Sequence, residues 1–285
     1  MELGRHADPA IIDETVRRAL AEDIGPGDIT GLTTVGARVM GRGVFLAKQD
    51  GVLAGMEVAA ECFRQVDERA DFEALVAEGE HFAPGDHLAT VEGPARSLLA
   101  AERVALNFLQ RLCAVATLAR AFADEVEGTG AVIVDTRKTT PGLRALEKAA
   151  VLAGGAQNHR FALYDGVLIK DNHIRVAGGV AQAIERARAG APHCMKIEVE
   201  TATLDEVRQA LDAGADIIML DNMDLDQMKQ AVEMIDGRAL VEASGGMTLD
   251  RVRAVAQTGV DLISVGRLTH SAPAVDISLE LEALS

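Results

Sequence analysis

The sequence contains no tryptophan, one tyrosine and seven phenylalanines in 285 residues, and its formal net charge is −16. Binding of unpaired bases needs aromatic rings to stack on, and a phosphate backbone needs a surplus of Lys and Arg, so nucleic acid is excluded as a partner. No apolar run approaches the roughly 20 residues that span a bilayer, and residues 1–20 lack the apolar centre of a secretory leader. No membrane partner is expected, and the protein is expected in the cytoplasm. Cysteine is scarce too. Cys62, Cys113 and Cys194 are odd in number, widely spaced and without Cys-x-x-Cys or His companions at ligand spacing. That excludes a disulfide framework, gives no reason to expect a protein-built metal centre, and predicts reduced, mostly buried thiols.

Against this acidic background one stretch is basic. Residues 135–175 hold seven Lys or Arg against four Asp or Glu, a local charge of +3 that leaves −19 for the rest of the chain. Such an island suits a compact, highly charged anion better than it suits solubility. Apolar 131–134 reads as a strand delivering Asp135-Thr136-Arg137-Lys138 at its carboxyl end, and Pro141-Gly142 then opens a helix to about Ala153. Gly166 to Ile169 reads as a second strand, delivering Lys170-Asp171-Asn172-His173. Two consecutive strands thus place cations at one edge of a sheet, where α/β proteins bind ligands.

Strands at 195–199, 217–220, 239–243 and 262–265 follow, alternating with helices at 179–189, 204–213, 225–235 and 248–258. Six βα units predict parallel β structure. Each strand ends in polar or glycine residues, including Glu198 and Glu200, Asp221 and Asn222, Ser244-Gly245-Gly246, and Ser264-Val265-Gly266. Lys196, Glu198 and Glu200 share one side of their strand by period two, and charges pointing into a barrel are expensive unless paired or bound to ligand. The two glycine turns closing the last strands are where a βα barrel holds phosphate. Gly154-Gly155 reads only as a helix terminator.

The amino-terminal third differs. A helix from Pro9 precedes short alternating segments at 43–47, 51–55, 71–75 and 87–91, with a helix over 57–66, giving a small α+β domain. Residues 79–93 resemble the hairpin of lipoyl or biotinyl carrier domains, but Lys48 is the only lysine before Lys138 and no Met-Lys-Met surrounds it, so only hairpin geometry is expected there. Residues 95–127 form a helix with a break near Cys113, carrying Arg103, Asn107 and Arg111 as a stripe that spacing alone reads as solvated. The predicted boundaries are 1–112 for the α+β domain and 113–269 for the barrel, with an amphipathic tail, 270–285, packing back on the first.

In combination, Thr136-Arg137-Lys138-Thr139, Pro141-Gly142-Leu143-Arg144, Asn158-His159-Arg160, Lys170-Asp171-Asn172-His173, Lys196 to Glu200, Leu220-Asp221-Asn222, Glu242 to Gly246 and Glu22 to Thr30 resemble the quinolinate phosphoribosyltransferase family. The resemblance spans nearly the whole chain. It implies an incomplete or irregular parallel βα barrel and a carboxylating nicotinate-nucleotide pyrophosphorylase of NAD biosynthesis. Quinolinate and phosphoribosyl pyrophosphate would be the substrates, with Mg²⁺ carried on the pyrophosphate. It further implies that Arg137, Arg160, His159 and Lys170 bind the quinolinate dicarboxylate, with Arg103 reaching across the interface of a homodimer or higher homo-oligomer. Lys138 would meet phosphoribosyl pyrophosphate, and Thr136 would be among the substrate-binding residues. Glu198 and Asp221 would serve the ribose hydroxyls or the Mg²⁺, and Ser244, Gly245, Gly246, Ser264, Val265 and Gly266 the 5-phosphate. Lys138, Glu198 and Asp221 are thereby the candidate catalytic groups.

Other readings stay open at this level. A Schiff-base lyase through Lys170 or Lys196 is compatible with a strand-end lysine but leaves Arg137, His159 and Arg160 unexplained. The molybdenum-associated paralogue departs around Lys170 to His173, which is intact here. A carrier module lacks its lysine. His173 reads equally as catalyst or supporting hydrogen-bond partner, Arg144 and Lys148 as solvated or as part of the anion field, and Asn172 and Asn222 as turn residues. His6, His81, His87, His193 and His270 join no constellation.

Overall fold

The computed structural model describes residues 8–284; Met1–Ala7, with His6, and Ser285 lie outside the described residues. In chain order the elements are α1 Pro9–Ile24, α2 Ile29–Thr34, β1 Met40–Ala47, β2 Gly51–Val52, α3 Met56–Val66, β3 Asp71–Ala74, β4 His81–Phe82, β5 His87–Pro94 and α4 Ala95–Glu125. Then come β6 Val132–Val134, α5 Arg144–Ala153, β7 Val167–Ile169, α6 Asp171–Ala177, α7 Val180–Gly190, β8 Ile197–Thr201, α8 Leu204–Asp212 and β9 Ile217–Asp221. α9 Leu225–Ile235, β10 Leu240–Ser244, α10 Leu249–Ala256, β11 Leu262–Ser264, α11 Arg267–His270 and β12 Ile277–Leu284 complete the chain. Two compact units divide it: Met1–Arg120 with Thr139–Gly155 and Leu268–Ser285, and Ala121–Lys138 with Ala156–Arg267.

In the first unit an antiparallel sheet runs in the order β12-β1-β5-β3. The C-terminal tail enters it as a strand, Met40 facing Leu284 and Ala47 facing Ile277. Three of the seven phenylalanines gather beneath this sheet: the Phe45, Phe63 and Phe72 rings lie 5.7 to 5.9 Å apart, edge-to-face or tilted. The expected hairpin over 79–93 is corrected, since β4 pairs with β2 while β5 pairs with β1 and β3. Asp8 caps α1 by accepting the Ala10 N–H at 2.9 Å, with Pro9 as the first helical residue.

The expected break near Cys113 is also absent. α4 runs 31 residues without interruption, because no Gly or Pro lies within it and Cys113 is clamped in place: its Sγ sits 3.4 Å from Ala54 N and 3.5 Å from Ala54 O. Gly55 is required for this approach, its φ being +96° and an added Cβ falling 2.5 Å from Leu112 Cδ1. Burial pushes the Cys62 and Cys113 thiols up to about 12, which makes them inert packing groups, whereas Cys194 is exposed.

Glu78 supplies the acceptor at the start of α3, taking the Met56 N–H at 2.7 Å and the Gly55 N–H at 2.9 Å. Burial pushes its carboxyl up to about 7. The folded form therefore keeps a proton that the unfolded chain releases near its ordinary value of 4.5, and stability falls as pH rises between those values. Glu78→Gln is expected to flatten that slope. Urea midpoints of both proteins at pH 5 and pH 8 check this, an unchanged difference removing Glu78 as its source.

The second unit holds a six-stranded parallel sheet, β6-β11-β10-β9-β8-β7, with β6 and β7 at its two ends. One isolated parallel bridge, Val134 to Gln157, lies between those ends in sequence and brings the segment Asn158-His159-Arg160 beside the end of β6. The parallel sheet is as six βα units predict, and its open order, with β6 and β7 at the ends, is the incomplete barrel that the resemblance implies. Ile217, Leu262 and Val134 share the face that carries Glu198 and Glu242, whereas buried Ile133, Ile218 and Ile263 lie on the opposite face.

Candidate active site

All six parallel strands deliver residues to one cavity of about 610 Å³. Thr136, Arg137 and Lys138 follow β6, Lys170 follows β7, Glu200 ends β8, Asp221 and Asn222 close β9, Ser244, Gly245 and Gly246 close β10, and Ser264 ends β11. His159 and Arg160 join them from the segment beside β6. The carboxyl ends of parallel strands converge because every crossover helix returns the chain to the opposite edge, so residues dispersed over more than a hundred positions meet there.

Backbone geometry shapes the floor. Gly245 takes φ +95°, and an added Cβ would lie 2.2 Å from Asn222 Oδ1 and 3.0 Å from the Asn222 backbone N, so no other residue fits. Asn222 itself has φ +56°, donates its backbone N–H to Ser244 O at 3.0 Å and its side-chain amide to Asp221 Oδ2 at 2.8 Å. It is a turn residue that also orients Asp221. Val265 does not line the cavity: it is 1% exposed and its N–H is occupied by Val134 O at 2.9 Å. Gly266 is likewise outside the lining.

The electrostatics are those of an anion site. Lys170 Nζ contacts Glu200 Oε2 at 2.7 Å. Arg160 donates Nη1–H to Gly166 O at 3.0 Å, and its pKa is lowered by burial and then by the neighbouring Arg137 charge. Two guanidiniums thus stand close enough to repel one another in a half-buried cleft. Lys138 donates its backbone N–H to Thr136 Oγ1 at 3.0 Å, which sets the turn after β6.

The acid placed by sequence needs correcting. Glu198 does not line this cavity. It is 4% exposed and lines a second cavity of about 380 Å³ together with Gln157, Cys194, Lys196 and Glu242. Glu200, two residues further along the same strand, takes its place on the wall. His159 and Arg160 line both cavities. His173 is resolved as a supporting residue, its Nδ1 accepting the Lys170 N–H at 2.9 Å in the first turn of α6.

Outside the cavity, the helical stripe on α4 divides. Arg103 and Asn107 are exposed, but Arg111 is not a solvated residue: it pairs through Nη2 with the fully buried Glu147 at 2.7 Å. Lys148 is also fully buried, which removes it from the solvated reading. Arg144 donates Nε–H to Thr139 Oγ1 at 3.0 Å. Gly154 does more than end a helix, since an added Cβ would sit 2.4 Å from Ala116 O.

The quinolinate phosphoribosyl transferase family has two domain models, and both match: the N-terminal domain over residues 28–113 and the C-terminal domain over residues 115–280. The chain belongs to that family. A probable nicotinate-nucleotide pyrophosphorylase [carboxylating] of Bacillus subtilis is 43% identical over 260 residues, covering 91% of this chain and 90% of its own. The chloroplastic enzyme of the same name from rice is 44% identical, covering 94% and 76%. The crystal structure of NadC from Streptococcus pyogenes superposes with a TM-score of 0.95 at 39% identity, covering 99% of this chain and all of that one. Family membership rests on the whole length, whereas the cavity residues rest on the geometry above. No helix among the described residues is long and apolar enough to cross a membrane.

Proposed function

We propose that the chain transfers the phosphoribosyl group of phosphoribosyl pyrophosphate to quinolinate, yielding nicotinate mononucleotide, CO2 and pyrophosphate in NAD biosynthesis. The observation that carries this reading is the cavity itself, lined by the cations Arg137, Lys138, Arg160 and Lys170, by the Ser244-Gly245-Gly246 turn, and by the acids Asp221 and Glu200.

Planar guanidiniums bind paired carboxylates in bidentate fashion, which suits Arg137 and Arg160 to the quinolinate dianion. The glycine turn admits a phosphate close to backbone, and Lys138 faces the pyrophosphate. Mg²⁺ enters with the pyrophosphate as part of the substrate. As the pyridine nitrogen displaces pyrophosphate at ribose C1, positive charge develops on the sugar, and the carboxylates of Asp221 and Glu200 stabilise it without forming a covalent bond. The nitrogen, now cationic, accommodates the electron pair left at C2 when its carboxylate departs as CO2. Exposed Arg103 reaches the pocket of a second copy in a homodimer or larger assembly, and the protein works in the cytoplasm.

Purified protein given ring-carboxyl-labelled quinolinate, Mg²⁺ and phosphoribosyl pyrophosphate is expected to release labelled CO2 only when all three are present. No release from folded protein would overturn the assignment and leave an anion-binding barrel to be tested with other bases.

A further inference from the structure

Lys138 lines the substrate cavity, but Thr139 and Thr140, which follow it, do not. Between Lys138 and Thr139 the chain passes from the second compact unit to the first. A lysine there carries a long flexible side chain on a backbone that has left its strand and is held only by local bonds. One such bond lies on the strand side, where the Lys138 N–H is donated to Thr136 Oγ1 at 3.0 Å.

The other side is held from α5. Glu147 is fully buried, yet it reaches back to Thr140 and accepts its backbone N–H at 2.9 Å and its hydroxyl at 2.7 Å. It also accepts Arg111 Nε–H at 3.0 Å and Nη2–H at 2.7 Å. Charge-assisted bonds of this kind are the strong ones. Arg111 is anchored in turn, donating to Ala272 O at 3.2 Å and to Thr269 O. Thr139 is bonded as well, its Oγ1 accepting Arg144 Nε–H at 3.0 Å, and the Leu143 N–H closes a turn onto Thr140 O at 3.0 Å.

We propose that the Arg111–Glu147 pair clamps the loop after β6, with Glu147 the positioning residue that holds Thr140 and thereby sets where Lys138 presents its ammonium to phosphoribosyl pyrophosphate. Neither Arg111 nor Glu147 lines the cavity. A buried ion pair kept for stability alone can be exchanged for apolar packing, but this carboxylate spends two of its bonds on an exposed threonine beside the substrate loop. Ordering that loop before the anion arrives removes an entropy cost that binding would otherwise bear. Arg137 lies inside the turn that Thr136 closes, so it depends less on Glu147 and the effect falls on Lys138.

This rests on the reading of the cavity as a phosphoribosyl pyrophosphate site, so one arm of its test needs no turnover. Calorimetry gives the affinity of the whole chain for inorganic pyrophosphate with Mg²⁺, and initial rates give KM for each substrate. Thr140→Val keeps the side chain's shape without its hydroxyl, and is expected to weaken pyrophosphate binding and raise KM for phosphoribosyl pyrophosphate about fivefold or more, with KM for quinolinate within about twofold. Thr140→Ser keeps the hydroxyl and is expected to stay within about twofold of wild type throughout. Arg111→Met with Glu147→Leu replaces the pair by apolar packing, which retains the fold. It is expected to show the same loss, and Thr140→Val added to it should do no further damage, whereas a threonine touching the ligand itself would add its full effect.

Wild-type behaviour of Thr140→Val, equal rises in both KM values, or additive damage in the triple variant would overturn the proposal. So would failure of the wild-type protein to bind pyrophosphate. If labelled CO2 is never released but Thr140→Val still weakens pyrophosphate binding and Thr140→Ser does not, the quinolinate assignment falls and the clamp stands. Should the apolar pair not fold, the contrast between Thr140→Val and Thr140→Ser decides.

Discussion

Arg160→Ala is expected to lower kcat/KM for quinolinate by roughly 10- to 100-fold, the effect of removing a charge-assisted hydrogen-bonding group of about 1.5–3 kcal/mol. The reason is the state of the site before substrate arrives. Burial and the adjacent Arg137 charge both disfavour the Arg160 cation, so the folded protein holds two like charges in a half-buried cleft that favours an anion. Asp165 and Glu198 offset this in part. A dianion with adjacent carboxylates matches that field in charge. Arg160→Lys should recover little, because an ammonium cannot reproduce the planar fork that meets the ligand while donating to Gly166 O. Initial rates with each substrate varied in turn check the prediction. An unchanged KM for quinolinate would remove Arg160 from the site, and Arg137→Ala is read in the same way.

The second large effect falls on stability. Arg111→Ala is expected to lower the unfolding free energy by about 3 kcal/mol, since breaking a buried ion pair from one side leaves the other charge without compensation. Glu147 is 0% exposed and receives the Arg111 Nε–H at 3.0 Å and Nη2–H at 2.7 Å, together with the Thr140 backbone N–H at 2.9 Å and hydroxyl at 2.7 Å. Arg111 also donates to Ala272 O at 3.2 Å and to Thr269 O. One guanidinium thereby ties α4 to α5, to Thr269 in α11 and to Ala272 just after it, all residues of the first compact unit. Urea unfolding of Arg111→Ala beside Asn107→Ala separates this role from that of an ordinary helix-surface residue. The exposed Asn107 substitution should change stability by no more than about 0.5 kcal/mol, and equal effects from the two would sink the assignment.

Much of this was legible in one dimension. Short apolar runs closed by charged or glycine residues located all six parallel strands, and a local charge reversed against the rest of the chain marked the anion site. Those signals are strong because they are local: a buried strand must be apolar, and a phosphate or carboxylate needs cations and bare backbone wherever it sits. The helix α6 after Lys170 escaped notice, its seven residues including none that is buried and so showing no apolar stripe.

Depth was the quantity that sequence could not supply. Period two places Glu198 and Glu200 on the same side of β8, but one pleat repeat is roughly 6.6 Å along the strand. That is enough to separate a wall of the substrate cavity from the layer beneath it. Ladder register pairs Glu200 and Glu242 alike with Met219 and Glu198 with Ile217, yet Glu198 and Glu242 share the second cavity, so the course of the strands in three dimensions decides which acid meets which. Arg111 follows the same logic. Its spacing on α4 reads as exposed, and its burial depends on Glu147, Thr269 and Ala272, which the chain brings back only after long excursions. The sequence by itself determined which residue types gather at the strand ends and hence the class of ligand. Tertiary structure decided which of them touch that ligand and which hold the others in place, because contact depends on distances between strands that no single strand encodes.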